Sequence, residues 1–196
     1  MTGPSIFRST GQCLHVAFLM EILPATTRGF MQAMLEAHMK ALGVREEDVQ
    51  ERTIDFSGMS ALEIRGQCAM VRGMVEHHLV LPEACAVKAH YGHTVTKAAG
   101  VRGLAAYVAP LLSTTHRDAV LALAWGVYGT EKQREGLSSR EIADYYGLAK
   151  STAQRDQQTI KRMGRDMLSR GIGQLNARFQ ASGLVENENE QSLQTP

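Results

Sequence analysis

The side chains whose types and spacing suggest a chemistry lie between residues 150 and 165. Thr152, Gln154, Arg155, Gln158 and Thr159 share the expected outward face of one helix, Lys150 stands just before it, and Lys161, Arg162 and Arg165 lie further along it. Arginine pairs bidentately with guanine and glutamine with adenine, so the first group has the types that read base edges. The second group suits phosphate oxygens. Ser151 belongs with them and is the expected N-cap of the helix that begins STAQRDQQ. From 150 to 178, seven basic side chains (Lys150, Arg155, Lys161, Arg162, Arg165, Arg170, Arg178) stand against two acidic ones, Asp156 and Asp166. The whole chain has a formal net charge of +1, so this basicity is local.

Other constellations carry less. Cys68, His77, His78, Cys85, His90 and His93 are types that zinc accepts, but no CxxC pair occurs, and His77 and His78 point apart on a helix. The expectation is therefore core thiols and ordinary histidines, with Cys68 and His78 along an apolar helix face and no bound metal. Gly66–Gln67–Cys68 has a sequence seen around some nucleophilic cysteines, yet it falls inside an amphipathic helix with no base placed by motif. There is no GxSxG elbow, no GxxxxGK[ST] phosphate loop and no GxGxxG after a strand. The expectation is a protein without catalytic residues or cofactors.

The elements that must position the basic face read as helices. Ile64, Cys68, Val71, Val75 and Leu79 recur at helical spacing, as do Met31, Met34, Leu35, His38, Met39 and Leu42. Alternation of apolar and polar residues is scarcely found. An all-α fold follows, with helices expected near 8–23, 28–42, 59–80, 83–91, 94–109, 115–128, 138–147, 151–169 and 172–183. Thr115 with Asp118, and Ser138 with Glu141, have capping-box spacing. Gly43 and Pro82 suit a helix end and a helix start. The methionines, including Met20, Met59, Met70 and Met74, are expected to fill the core. The small residues of VTKAAGVRGLAAYVAPLL, 95–112, suit close helix packing. Lys97 and Arg102 in that stretch add a weaker possibility of nucleic-acid contact.

Residues 137–162, LSSREIADYYGLAKSTAQRDQQTIKR, form a helix-turn-helix pattern. Ile142 and Tyr146 supply an apolar face, and Ala143 is the small residue where backbones approach. Gly147 takes the left-handed position, Leu148 plugs the turn, and Ala153, Ile160, Met163 and Met167 face inward. Gln157 stands where such motifs usually place an aliphatic residue, which moves the expected inner contact toward Ile160. Preceded by RDAVLALAWGVYG and followed by a basic continuation, the pattern resembles the fourth region of bacterial sigma factors. Ending in LSRGIGQLNARF, the stretch from about Leu111 to Phe179 also resembles phage late-gene antitermination proteins of the Q type.

That resemblance implies a transcription regulator that binds double-stranded DNA near a late promoter and loads onto RNA polymerase. It makes Arg155 and its neighbours DNA readers. Some of that group carry a CxxC…CxxC zinc site; this sequence does not, which excludes only the zinc-bearing branch. Two other readings stay open: a helical assembly module whose helix-turn-helix only packs, and a dimeric repressor.

The expected division is a helical region at 1–110, polymerase-contacting or oligomerising, a DNA-binding region at 111–184, and a disordered acidic tail at 185–196. An ordered connection is expected at 44–58 and an exposed turn at 130–136. At 196 residues the chain suffices for one or two cores, and 44% hydrophobic with 21% charged residues is ordinary for a globular protein. The longest apolar run, Val120 to Tyr128, is far short of the ~20 residues of a membrane helix. MTGPSIFRSTGQ has no apolar signal core, and three cysteines form no evident pairing. The expected location is the cytoplasm of a bacterial host.

Overall fold

A computed structural model describes residues 5–24 and 58–186, with Gly29, Ala33, Met34, Ala37, Ile54 and Phe56 beside them. Its architecture is all-α. Seven helices occur among the described residues: α1 (Thr10–Ile22), α2 (Ala61–His78), α3 (Leu81–Tyr91), α4 (Thr94–Val108), α5 (Arg117–Tyr128), α6 (Ser139–Tyr146) and α7 (Lys150–Ala181). Short 3₁₀ turns follow α4 and α5. Most of the expected helix at 28–42 and of its stripe, Gly43, and most of the connection 44–58 lie outside the described residues.

Two compact units emerge, one drawn from Met1–His78 with Gly173–Pro196 and the other from Leu79–Ile172. The expected boundary at 110/111 is thereby corrected. α3 and α4 do not belong with an N-terminal region, because Ala89, Val101, Leu104 and Val108 share one core with Leu123, Ile142, Ile160 and Met167.

In the first unit α1 packs on α2, and Cys13, Leu14, Ala17 and Phe18 of the one and Ile64, Cys68, Val71 and Val75 of the other are buried. The α2 stripe read from periodicity is buried throughout. His78, expected on that face, is exposed, because ten residues from Cys68 is not a whole number of turns. The α1 N-terminus is capped by Ser9, whose hydroxyl accepts from the Gln12 N–H at 3.2 Å. At its other end the Arg65 guanidinium donates to the Leu23 and Pro24 carbonyls at 2.8 and 3.3 Å, and Arg72 donates to Ala17 O. The Leu23 carbonyl is the C-cap of α1, one of the groups that a helix end leaves unmet. Met20 is in the core as expected, whereas Met70 is 63% exposed.

Val185 and Glu186, the first residues of the expected tail, are held against Phe7. Val185 is buried and bridges Phe7, whose N–H donates to Leu184 O while Glu186 N–H donates to Phe7 O. Residues 187–196 lie outside the described residues.

In the second unit α3 and α4 pair most closely. A β-carbon on Gly100 would lie 2.4 Å from Ala89 N, and one on Gly103 would lie 2.3 Å from Cys85 Sγ. Only glycine allows backbones this near, so the small residues of 95–112 serve tight packing. The two helices expected at 151–169 and 172–183 are one continuous α7. Gly171 does not break it, since its bare Cα sits against Leu79, Glu83 and Val87. The Glu83 carboxylate, nearly buried, pairs with Arg170 at 3.5 Å. No helix among the described residues is long and apolar enough to cross a membrane.

Candidate nucleic-acid interface

The helix-turn-helix is built from local signals that the structure satisfies one by one. Ser138 caps α6 in a full capping box: its hydroxyl accepts from Glu141 N–H at 3.3 Å, and the Glu141 carboxylate accepts from Ser138 N–H at 3.1 Å. The Ser138 hydroxyl donates to the same carboxylate, and this bond, with the one from the Ser138 N–H, holds the Glu141 carboxyl below its ordinary range. Gly147 ends α6 at φ 66°, ψ 30°, the left-handed region that costs glycine nothing. Leu148 N–H then donates back to Ala143 O at 2.9 Å, which folds the chain sharply into α7.

Two expected caps are displaced. Ser151 lies in the first turn of α7 and is not its N-cap; Ala149 holds that place, with its carbonyl accepting from Ala153 N–H at 3.1 Å. The turn after Gly147 is two residues long, too short for the helix to wait until Ser151. For α5 the cap is His116, not Thr115: its Nδ1 accepts from Ala119 N–H at 3.3 Å. The His116 ring also packs, tilted, against Tyr146 at 4.8 Å, so the start of α5 touches the end of α6.

α7 has two contrasting faces. Ala153, Asp156, Ile160, Gly164 and Met167 are buried. Lys150, Ser151, Gln154, Arg155, Gln158, Lys161, Arg162 and Arg165 are exposed. At about 100° per residue these eight fall within an arc of about 140°. Thr152 and Thr159 sit at the edge, half-buried, and the Thr159 hydroxyl donates to Arg155 O at 3.0 Å. These two are therefore set apart from the exposed arc. Lys150 also pairs with Asp144 at 3.6 Å, an exposed and hence weak interaction.

Asp156 is the residue whose role the sequence hid. Counted among surface charges, it is 2% exposed. Its two carboxylate oxygens accept from Ser113 N–H at 3.0 Å and Thr114 N–H at 2.9 Å, clamping the segment before α5 onto α7. With Asp156 turned inward, Asp166 is the exposed acidic side chain between 150 and 172, so the outer face is more basic than the sequence tally implies.

Gln157 also finds an explanation. Its amide rests over Gly126 of α5, where a β-carbon would lie 2.8 Å from Gln157 Nε2 and 2.5 Å from Leu137 O. A glycine on α5 thus accommodates a polar side chain where an aliphatic one is usual.

The Cys68–His93 residues make no cluster: among the described residues no group of three or more His, Cys, Asp or Glu side chains is placed to hold a metal ion. Cys68 is buried, and burial pushes its thiol up to about 11 against the opposing effect of Arg72 and Arg65. A buried thiol held in its protonated form is poorly suited to nucleophilic attack.

Three groups beside the basic face carry no local motif: His90, Lys97 and Tyr128, brought from α3, α4 and α5 to Lys161 and Arg165 of α7. Lys97 Nζ donates to Ala89 O at 2.8 Å. No protein-family model matches the chain, and no curated protein matches it.

Proposed function

We propose that the chain is a sequence-specific DNA-binding regulator of transcription that lays the first turns of α7 in the major groove. The observation that carries this reading is the exposed arc of Lys150, Ser151, Gln154, Arg155, Gln158, Lys161, Arg162 and Arg165, presented directly after a glycine-closed turn. At 1.5 Å per residue, Lys150 to Gln158 span about 12 Å, the width of the groove. Lys161 and Arg165 lie some 16–22 Å along the helix, where it has left the groove floor and meets the backbone. Gln154, Arg155 and Gln158 then read base edges, while Lys150 and the later cations hold phosphates. The exposed Tyr145 of α6 is a further donor beside that surface.

The resemblance of 111–179 to Q-type antiterminators supports a narrower form of the proposal. DNA contact tethers the protein near a promoter and raises the local concentration of a surface that binds RNA polymerase. No bond is made or broken, and no cofactor takes part. The test is selection from a random duplex library, followed by fluorescence anisotropy across a salt series. A selected sequence bound at least a hundredfold more tightly than random duplex supports the reader helix, and terminator read-through with purified polymerase then tests antitermination. Equal, feeble binding of all duplexes overturns the proposal and leaves a helix-turn-helix that only packs.

A further inference from the structure

Beside Lys161 and Arg165 of α7 the second unit holds a partly open cleft of about 350 Å³. Four helices contribute to it: Ala89 and His90 from α3, Lys97 from α4, Val127 and Tyr128 from α5, and Lys161, Gly164, Arg165 and Leu168 from α7. Its size falls within the range of about 300–1,000 Å³ typical of small-ligand sites. Three cations and no carboxylate line it. Lys97 is half-buried, with its ammonium steered by the Ala89 carbonyl. Positive groups gathered around a recess without a counter-charge repel one another, and an anion relieves that repulsion.

The recess is also shaped. A β-carbon at Gly164 would lie 1.7 Å from Tyr128 Oη, so glycine at this position lets the phenol lie on the α7 backbone. Burial raises the Tyr128 phenol to about 12, keeping it a proton donor at neutral pH. Burial and the neighbouring Lys97 charge lower His90, so it contributes a neutral ring nitrogen there. Val127, Leu168 and Ala89 give apolar wall. Two exposed cations, a half-buried third, a hydroxyl donor and apolar walls match a ligand that is phosphate at one end and organic at the other.

We infer that this cleft binds a small organic phosphate, a nucleotide by preference, with its phosphates on Lys97, Lys161 and Arg165 and its base against Tyr128, Val127 and Leu168. A duplex backbone meets the exposed Lys161 and Arg165 equally well, but it has nothing to place against the apolar walls and does not reach the recessed Lys97. The inference stands apart from DNA binding and is tested without DNA.

The experiment titrates the full chain against ATP carrying a ribose-linked fluorophore at low salt, with ATP, inorganic triphosphate and adenosine as competitors. Saturable one-to-one binding is expected, with ATP competing better than triphosphate and adenosine not competing. Arg165→Gln changes an exposed residue and leaves the core intact; it and Lys97→Met should each weaken binding about tenfold or more, as loss of a charge-assisted bond does. Arg140→Gln, which removes the same charge from an exposed position outside the cleft, should change it less than twofold. Absence of saturable binding overturns the inference. So does an equal loss in Arg140→Gln, which marks diffuse charge attraction, and so does triphosphate competing as well as ATP, which leaves the apolar walls unused. Lys97→Met that weakens duplex binding in a protein with no affinity for the fluorescent ATP would assign the cleft to DNA instead.

Discussion

Replacing Asp156 with alanine removes the acceptor for two backbone N–H groups at once. The Thr114 N–H bond is buried, and a buried donor left without a partner costs about 1–3 kcal/mol. The Ser113 N–H is only partly buried and recovers some hydration, so its loss costs less. Together Asp156→Ala should destabilise the second unit by about 2–4 kcal/mol. At about 2–4 °C per kcal/mol for a chain of this size, that lowers Tm by roughly 5–15 °C. Asp156→Asn keeps one acceptor oxygen and should cost about half as much. The chain's one tryptophan, Trp125, lies on α5 and packs against the same core, so its fluorescence reports unfolding of this unit in urea. Asp166→Ala on the exposed face is the control and should stay within about 0.5 kcal/mol. Asp156→Ala within that same margin would refute the assignment of Asp156 as the clamp between α7 and the start of α5.

Gly126→Ala pushes a β-carbon against Leu137 O and Gln157 and should cost about 1–3 kcal/mol, whereas Gly173→Ala on α7, with open space around it, should gain up to about 1 kcal/mol. Thermal melts followed by circular dichroism compare the two, and equal signs would contradict the packing described. Burial raises Cys68 to about 11 and Cys13 higher still, above the ordinary value near 9 that both regain on unfolding. The unfolded chain therefore releases these protons first, and the stability present below pH 9 should fall as pH rises toward 11. The urea midpoint should drop between pH 8 and pH 10, and less so in Cys13→Ala/Cys68→Ala; identical drops would remove the thiols as the cause. For DNA binding, Arg155→Ala should lower discrimination between selected and random duplex by about 1–3 kcal/mol. Lys161→Ala should weaken all duplexes alike and reduce the salt slope by about one unit, and an unchanged slope takes Lys161 out of the phosphate contacts.

Local rules carried the sequence reading as far as they reach. Helical spacing on α2 named Ile64, Cys68, Val71 and Val75, and all four are buried. Ser138, Glu141 and Gly147 announced the boundaries of α6, because caps and left-handed turns depend on residues three or four apart. The exposed face of α7 was legible for the same reason: a helix of known period puts chosen residues on one side. The tertiary structure decided what distant residues do to one another. Asp156 looked like a surface charge because nothing within a turn of it reveals the Ser113 and Thr114 amides it binds more than 40 residues away. Ser151 lost its cap, and α7 runs on through 170–171 where two helices were expected, since packing and chain path outweigh propensities of about 1 kcal/mol. The cleft left no trace in any local pattern. Its cations lie as far apart as Lys97 and Arg165, and only the packing of four helices, drawn close by glycines at 100, 103 and 164, brings them around one space.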